Sequence, residues 1–256
     1  MNIDLSNKTA LVTGASQGIG EAAVRKLAEY GANVVLCARS EAAIQSIGDE
    51  IGAQALAVPC DVTRYTEVEN AIKKACSHFG SLDILVNNAG TIEPIARLED
   101  SDPEAWRGVV DVNQLGVYHC LRAAYWAMKS NSRTSEGGGV IINISSGAAT
   151  SALEGWSHYC ATKAAVLSLT RCAHNEWNGQ GIHVVGLSPG TVATDMQTAI
   201  KQSGVNPVSE LDWSQHISPE WVAEAIAWLT SDAGRKYDGG DFSLKTEEGL
   251  RAVGLI

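Results

Sequence analysis

The chain has 256 residues, 45% of them apolar and 19% charged, with a formal net charge of −10. That length and apolar content can bury a large core. The acidic balance, without any cluster of lysines or arginines, argues against nucleic acid or an anionic membrane as a partner.

Short β-rich runs alternate with longer helical ones from end to end. Strands are expected at TALVTG from Thr9, NVVLCAR from Asn33, ALAVPCD from Ala55 and LDILVNN from Leu82, and then at VIINIS from Val140, IHVVGLS from Ile182 and DFSL from Asp241. Most are continuous apolar segments, as expected when both faces of a parallel sheet are covered. Helices are expected over 18–30, 41–51, 64–79, 103–130, 157–178 and 219–231, the last opened by Ser218 at the N-cap and Pro219 behind it. Such alternation implies right-handed crossovers and a doubly wound α/β sheet. No repeat or linker divides the chain, so a single domain over 1–256 is expected. Two stretches stay irregular: NSRTSEGGG at 131–139, a polar connection, and residues 190–217, a long excursion of the kind that forms lids and binding loops.

The six cysteines, Cys37, Cys60, Cys76, Cys120, Cys160 and Cys172, include no CxxC pair, and the six histidines show no metal-ligand spacing. No metal is expected. The opening MNIDLSNKTALVTG has no charged-then-apolar signal pattern, and no apolar run is long enough to span a bilayer. A reducing cytoplasmic setting fits best.

TGASQGIG places glycines at 14, 18 and 20 directly after the first strand and at the start of a helix. Glycine lets backbone approach a diphosphate without a Cβ in the way, and a helix N-terminus offers free N–H groups to the anion. In this position the turn suits a dinucleotide. At the end of the second strand Ala38 stands where a carboxylate would receive a ribose 2′-hydroxyl, and Arg39 follows. A guanidinium without that carboxylate suits a 2′-phosphate, so NADP(H) is favoured over NAD(H).

Tyr159 and Lys163 are four residues apart, side by side on a helix. Spacing alone would equally describe an aromatic ring packed on a lysine stem. The wider pattern decides. TGASQGIG, CDVT at 60–63, NNAG at 87–90, Asn113, NISS at 143–146, YCATK at 159–163 and SPGTVATDM at 188–196 occur in the order of the short-chain dehydrogenase/reductase family, which nearly the whole chain resembles.

The resemblance implies a Rossmann-like domain whose seven parallel strands run in the order 3-2-1-4-5-6-7. It implies Ser146, rather than Ser145, as the group that orients the substrate oxygen. Tyr159 is then the proton donor, Lys163 its cationic neighbour, and Asn113 the helix-bending residue of a proton relay. A lysine beside a tyrosine is expected to lower its pKa from the usual value of about 10. The implied cofactor set is Gly14, Ser16, Gln17, Gly18, Ile19 and Gly20 in the turn, with Arg39 and Ser40 after the second strand. Asp61 and Val62 would lie at the adenine, Asn88, Ala89 and Gly90 near its ribose, and Tyr159 and Lys163 at the nicotinamide ribose. Pro189, Gly190, Val192 and Thr194 would hold the carboxamide, while Asn87 braces the sheet.

The chemistry implied is hydride transfer between nicotinamide and a carbonyl or secondary alcohol. A rival within the fold is NAD-dependent sugar or polyol oxidation. A non-catalytic dinucleotide sensor would be expected to lose Tyr159 or Lys163, and both are present. The pocket is expected along 92–96, 147–156 and the loop after Gly190, with Leu153, Trp156, Met196 and Trp213 making it apolar. His158 is expected near its mouth or at the surface, and Cys160 in packing. With no cation evidently placed for an anionic group, the expected substrate is a small neutral ketone or aldehyde. The tail YDGGDFSLKTEEGLRAVGLI departs from the family's TGxxxxVDGG ending. Family members are usually dimers or tetramers through their long helices, so a homo-oligomer is expected.

Overall fold

The structure, a computed structural model, describes residues 3–131 and 138–256; most of the expected connection at 131–139 thus lies outside the described residues. Seven strands, β1 (Thr9–Thr13), β2 (Asn33–Ala38), β3 (Ala55–Pro59), β4 (Ile84–Asn87), β5 (Gly139–Ile144), β6 (Ile182–Ser188) and β7 (Asp241–Ser243), form one sheet. Their order is 3-2-1-4-5-6-7 and every pairing is parallel, as expected.

Side chains alternate across a strand, and the apolar runs supply both faces. Val12, Leu36, Val86 and Ile142 face α1 (Gly18–Glu29), α2 (Glu41–Ile51) and α8 (Pro219–Leu229). Leu11, Val35, Leu85 and Ile141 face α3 (Tyr65–Phe79), α5 (Gly116–Lys129) and α6 (Ser157–Trp177). Burial of both faces explains why the strands show no polar alternation.

Three features differ from the sequence expectation. The helix expected over 103–130 is α4 (Pro103–Val110) and α5, joined by a π-helical turn at Asp111–Leu115. The long excursion contains α7 (Asp195–Ser203) and two short 3₁₀ turns, and the tail contains α9 (Glu247–Val253). Ser218 does stand at the N-cap of α8, but its side chain makes no capping bond. The loops that leave β1, β4, β5 and β6 at their carboxyl ends converge on one edge of the sheet, where open α/β sheets bind ligands.

Candidate active site

The turn after β1 is built by what its glycines leave out. Gly14 has φ +65°, and a Cβ there would stand 2.9 Å from Ala89 Cα. A Cβ on Gly20 would stand 2.1 Å from the Gly14 carbonyl oxygen. The gap between β1 and β4 is closed by Thr13, whose hydroxyl accepts from the backbone N–H of Asn88 (3.0 Å) and Ala89 (3.1 Å). Asn88 Nδ2 donates to the Thr13 carbonyl at 2.9 Å. The N-cap of α1, Gln17, has an extended backbone and no capping bond from its side chain, so the first N–H groups of the helix are left for an anion. A Cβ on Gly18 would lie 3.2 Å from Thr194 Cγ2, which brings the β6 loop over the turn.

Around this cradle, Ser16 and Ile19 are half-buried, and Arg39 and Ser40 are exposed at the end of β2. Arg39 makes no ion pair among the described residues. Asp61 Oδ1 accepts from Thr63 N (3.0 Å) and Oγ1 (2.8 Å), holding the turn after β3. Val62 is buried against Gly116. Pro189 and Val192 are buried, Gly190 has φ +84°, and Thr194 is the N-cap of α7. A glycine cradle that a Cβ would fill, beneath an uncapped helix N-terminus, fits a dinucleotide.

Ser146 lies two residues beyond the end of β5, where its Oγ accepts from Ala148 N at 3.1 Å and its hydroxyl bonds the Tyr159 side chain. Tyr159 and Lys163 share one face of α6, with Lys163 Nζ 5.5 Å from the centre of the Tyr159 ring. Nζ donates to the Ile144 carbonyl at 2.7 Å, which ties the ammonium to the end of β5. Gly90 joins this group, since a Cβ on it would lie 3.4 Å from Asn113 Oδ1 and 4.0 Å from Lys163 Nζ.

Asn113 sits in the π-helical turn and is 1% exposed. Its Oδ1 accepts from Thr91 N (2.8 Å), and its Nδ2 donates to the Thr91 carbonyl (2.8 Å) and to Thr162 Oγ1 (3.2 Å). The side chain is spent on these braces, which clamp the π turn to the β4 loop and to α6. Asn87 Nδ2 donates to Asn143 Oδ1 at 2.8 Å, and Asn143 Nδ2 to Thr170 Oγ1 at 2.8 Å, a polar ladder beneath α6.

Two expectations are corrected. Tyr159 is buried, and burial pushes its pKa up to about 12, with a hydrogen bond from Ser146 pulling the other way. The low value expected from the neighbouring lysine is thus absent in the protein alone. Desolvation also acts on Lys163, pushing it down to about 8, while the charge of Asp241 opposes that fall. His158 is buried rather than at the pocket mouth: its Nε2 lies 2.6 Å from the Pro94 carbonyl, and its Nδ1 accepts from Tyr159 N at 2.7 Å.

Beside Tyr159 lies a small buried apolar cluster of Ile92, Ala148, Trp156, Tyr159 and Ile200, with Leu153, Cys160 and Met196 against it. The Trp156 ring meets Tyr159 edge-on at 5.7 Å. The excursion closes over it, where Asn206 Nδ2 donates to the Glu154 carbonyl at 2.9 Å. Trp213 is 45% exposed and lies outside this cluster. The sequence reading missed Lys245. A Cβ on Gly190 would lie 3.0 Å from Lys245 Cγ, and one on Gly147 would lie 3.4 Å from Lys245 Nζ. Its only sequence signal was the departure of the tail from the family ending.

Among the described residues no group of three or more His, Cys, Asp or Glu could hold a metal, and no helix is long and apolar enough to cross a membrane. Comparison with known proteins agrees with the geometry. The family profile described as short chain dehydrogenase matches residues 8–204. The chain is 37% identical over 236 residues to a cis-4-hydroxycyclohexanecarboxylate dehydrogenase of Sinomonas cyclohexanicum, covering 89% of this chain and 91% of the relative. It is 34% identical over 238 residues to a 3-oxoacyl-[acyl-carrier-protein] reductase of Staphylococcus epidermidis, covering 91% and 95%. A crystal structure of a Brucella melitensis 3-ketoacyl-(acyl-carrier-protein) reductase complexed with NADH superimposes with TM-score 0.84 at 32% identity, covering 94% of this chain and 98% of that one. The chain belongs to the short-chain dehydrogenase family and is an oxidoreductase that works between an alcohol and a carbonyl with a nicotinamide cofactor.

Proposed function

We propose that the protein is an NADP(H)-dependent carbonyl reductase or alcohol dehydrogenase, formed by one domain over 1–256 with residues 190–217 as the substrate loop. The observation that carries this reading is the convergence of Ser146, Tyr159, Lys163 and Asn113 at the carboxyl end of β5 beside the glycine cradle. When bound, the nicotinamide supplies or accepts the hydride.

Ser146 donates a hydrogen bond to the substrate oxygen and stabilises negative charge as it develops there. Tyr159 delivers its hydroxyl proton to the same oxygen. Lys163 holds the nicotinamide ribose and stabilises the phenolate left on Tyr159, and the π turn at Asn113 opens the path by which that proton is replaced. Because burial keeps Tyr159 protonated up to about pH 12, the residues of the protein alone are set for proton donation. Carbonyl reduction consumes that proton and is expected to run faster at neutral than at alkaline pH. Alcohol oxidation needs the phenolate and gains as pH rises. Arg39, exposed and without an ion pair among the described residues, supports NADP(H), since its guanidinium suits a 2′-phosphate.

A neutral ketone or aldehyde fits the apolar wall around Trp156. Lys245 favours a second reading, a carbonyl or alcohol bearing a carboxylate, as in the substrate named for the Sinomonas relative. An exposed ion pair contributes about 1 kcal/mol or less, a factor of about five in affinity. We place the protein in the cytoplasm, consistent with its six free cysteines. Tyr118 and Trp126, 45% and 68% exposed on α5, support association into a homodimer or homotetramer.

The test is a panel of neutral and carboxylated ketones and alcohols, followed by reduced-nicotinamide absorbance with NADPH and with NADH at neutral and alkaline pH. NADPH-driven ketone reduction that is stronger at neutral pH is expected. Equal efficiency with NADH would refute the cofactor preference. Bound cofactor with no turnover on any member would refute the enzymatic reading.

A further inference from the structure

β7 carries an acid that the mechanism above does not use. Asp241 pairs in register with Gly186 of β6, which in turn pairs with Asn143 of β5. The three side-chain positions therefore lie on one face of the sheet, the face that α6 covers through Asn143 and Thr170. Gly186 leaves an open slot between the outer two. A Cβ there would lie only 2.7 Å from Asp241 Oδ1. Through that slot the carboxylate crosses β6, and its Oδ2 accepts from Ser145 Oγ at 3.2 Å.

The other oxygen, Oδ1, is buried with no hydrogen-bond partner among the described residues. A carboxylate oxygen taken from water without a donor is costly unless nearby positive charge compensates. The two cations that act on it, Lys163 and Arg171, both come from α6. Of these, Lys163 is buried and Arg171 is exposed. Other charged groups nearby are engaged or elsewhere: Asp238 meets His183 at 2.6 Å, and the ring of His174 lies over Gly239. Tyr159 is neutral at ordinary pH.

The connection to the site is short. Ser145 lies between Ile144, whose carbonyl receives Lys163 Nζ, and Ser146, which orients the substrate oxygen. We propose that Asp241 is a positioning residue that reaches across Gly186 to Ser145, keeps the Lys163 ammonium charged inside the protein, and fixes the end of β5. The proposal rests on the reading of Lys163 as the catalytic lysine. Burial moves the two groups toward each other, Asp241 up to about 6 and Lys163 down to about 8. Both are charged between those values. Below the window Asp241 takes up a proton and Lys163 loses its counter-charge; above it Lys163 itself becomes neutral.

The test needs neither substrate nor cofactor, so a failure of the carbonyl-reductase reading on the substrate panel leaves it intact. Protein labelled with ¹³C at lysine is titrated by NMR, and the Lys163 Cε signal is assigned as the one missing from Lys163→Met. Asp241→Asn is expected to lower the Lys163 transition by about one pH unit or more. Asp241→Glu restores it, and Ser145→Ala, which loosens the carboxylate, lowers it by less. A well-folded Asp241→Asn protein whose Lys163 titrates as in the parent would overturn the proposal. Should Asp241→Asn not fold, Ser145→Ala and Gly186→Ala decide: an unmoved Lys163 transition in both overturns it equally.

Discussion

Around the glycine turn the site is made by leaving atoms out, whereas around Tyr159 it is made by burying polar atoms that need each other. At the turn, Gly14 and Gly20 pack against backbone so closely that a single Cβ would collide with the Gly14 carbonyl or Ala89 Cα. What the turn offers an anion is then the backbone N–H groups at the start of α1, which need no side-chain ionisation. At the other end Tyr159 and Lys163 are both displaced from their ordinary pKa values by desolvation, in opposite directions. The first region is sensitive to volume and indifferent to pH. The second is sensitive to charge.

The sharpest way to test that contrast is to remove chemistry from the second region without changing its shape. Tyr159→Phe deletes one hydroxyl from a ring that stays packed against Trp156. General acid–base groups contribute about 10²–10⁴-fold, and turnover is expected to fall by that much or more. Cofactor affinity, measured by fluorescence titration, stays largely unchanged because the glycine cradle is untouched. Substantial residual hydride transfer would show that Tyr159 is not the proton donor.

The converse experiment adds volume to the first region. Gly20→Ala forces its Cβ against backbone 2.1 Å away, so the turn itself has to shift. Overpacking of this kind costs about 1–3 kcal/mol, and for a chain of this size each kcal/mol lowers Tm by about 2–4 °C. Dinucleotide affinity is expected to fall by about tenfold or more as the N–H groups move off their target. The pH dependence of any remaining turnover should match that of the parent. A displaced pH profile would mean that the two regions are coupled through the β4 loop.

The same contrast explains what could be read in the sequence. The alternation of strands with helices and the glycine turn were legible because each depends on local pattern, apolar runs and glycine spacing. Helical spacing paired only Tyr159 with Lys163, and the strand order and the place of Ser146 came from the resemblance to the family. The resemblance marked Asn113 as helix-bending, but no local pattern showed the break as a π turn at Asp111–Leu115, because Asn113 is held there by partners 22 and 49 residues away, Thr91 and Thr162. Burial was equally hidden. Tyr159 was expected to be more acidic than usual from its neighbour, yet desolvation outweighs every other influence on it. His158, expected at the mouth, is held inside by the Pro94 carbonyl. Lys245 and Asp241 escaped because no local pattern marks a residue whose partners, Gly190 and Gly147 or Gly186 and Ser145, lie on other strands and loops.

Arg39 lies at the outer edge of the first region, where a change alters cofactor choice without disturbing the fold. It is exposed and makes no ion pair among the described residues, so solvent competes for its guanidinium. A charge-assisted hydrogen bond is worth about 1.5–3 kcal/mol, which bounds the change to about 10–100-fold. Arg39→Asp removes that donor and places a carboxylate where it repels a 2′-phosphate and can accept from a 2′-hydroxyl. NADPH efficiency should drop within that range while NADH efficiency holds or rises, and raising ionic strength should narrow the difference for the parent. A variant that keeps its NADPH preference would move recognition of the 2′-phosphate to other groups, with Gln17 and Ser40 the exposed polar candidates in the cofactor set. Either result leaves Tyr159 and Lys163 where they are, because among the described residues Arg39 shares no hydrogen bond with them.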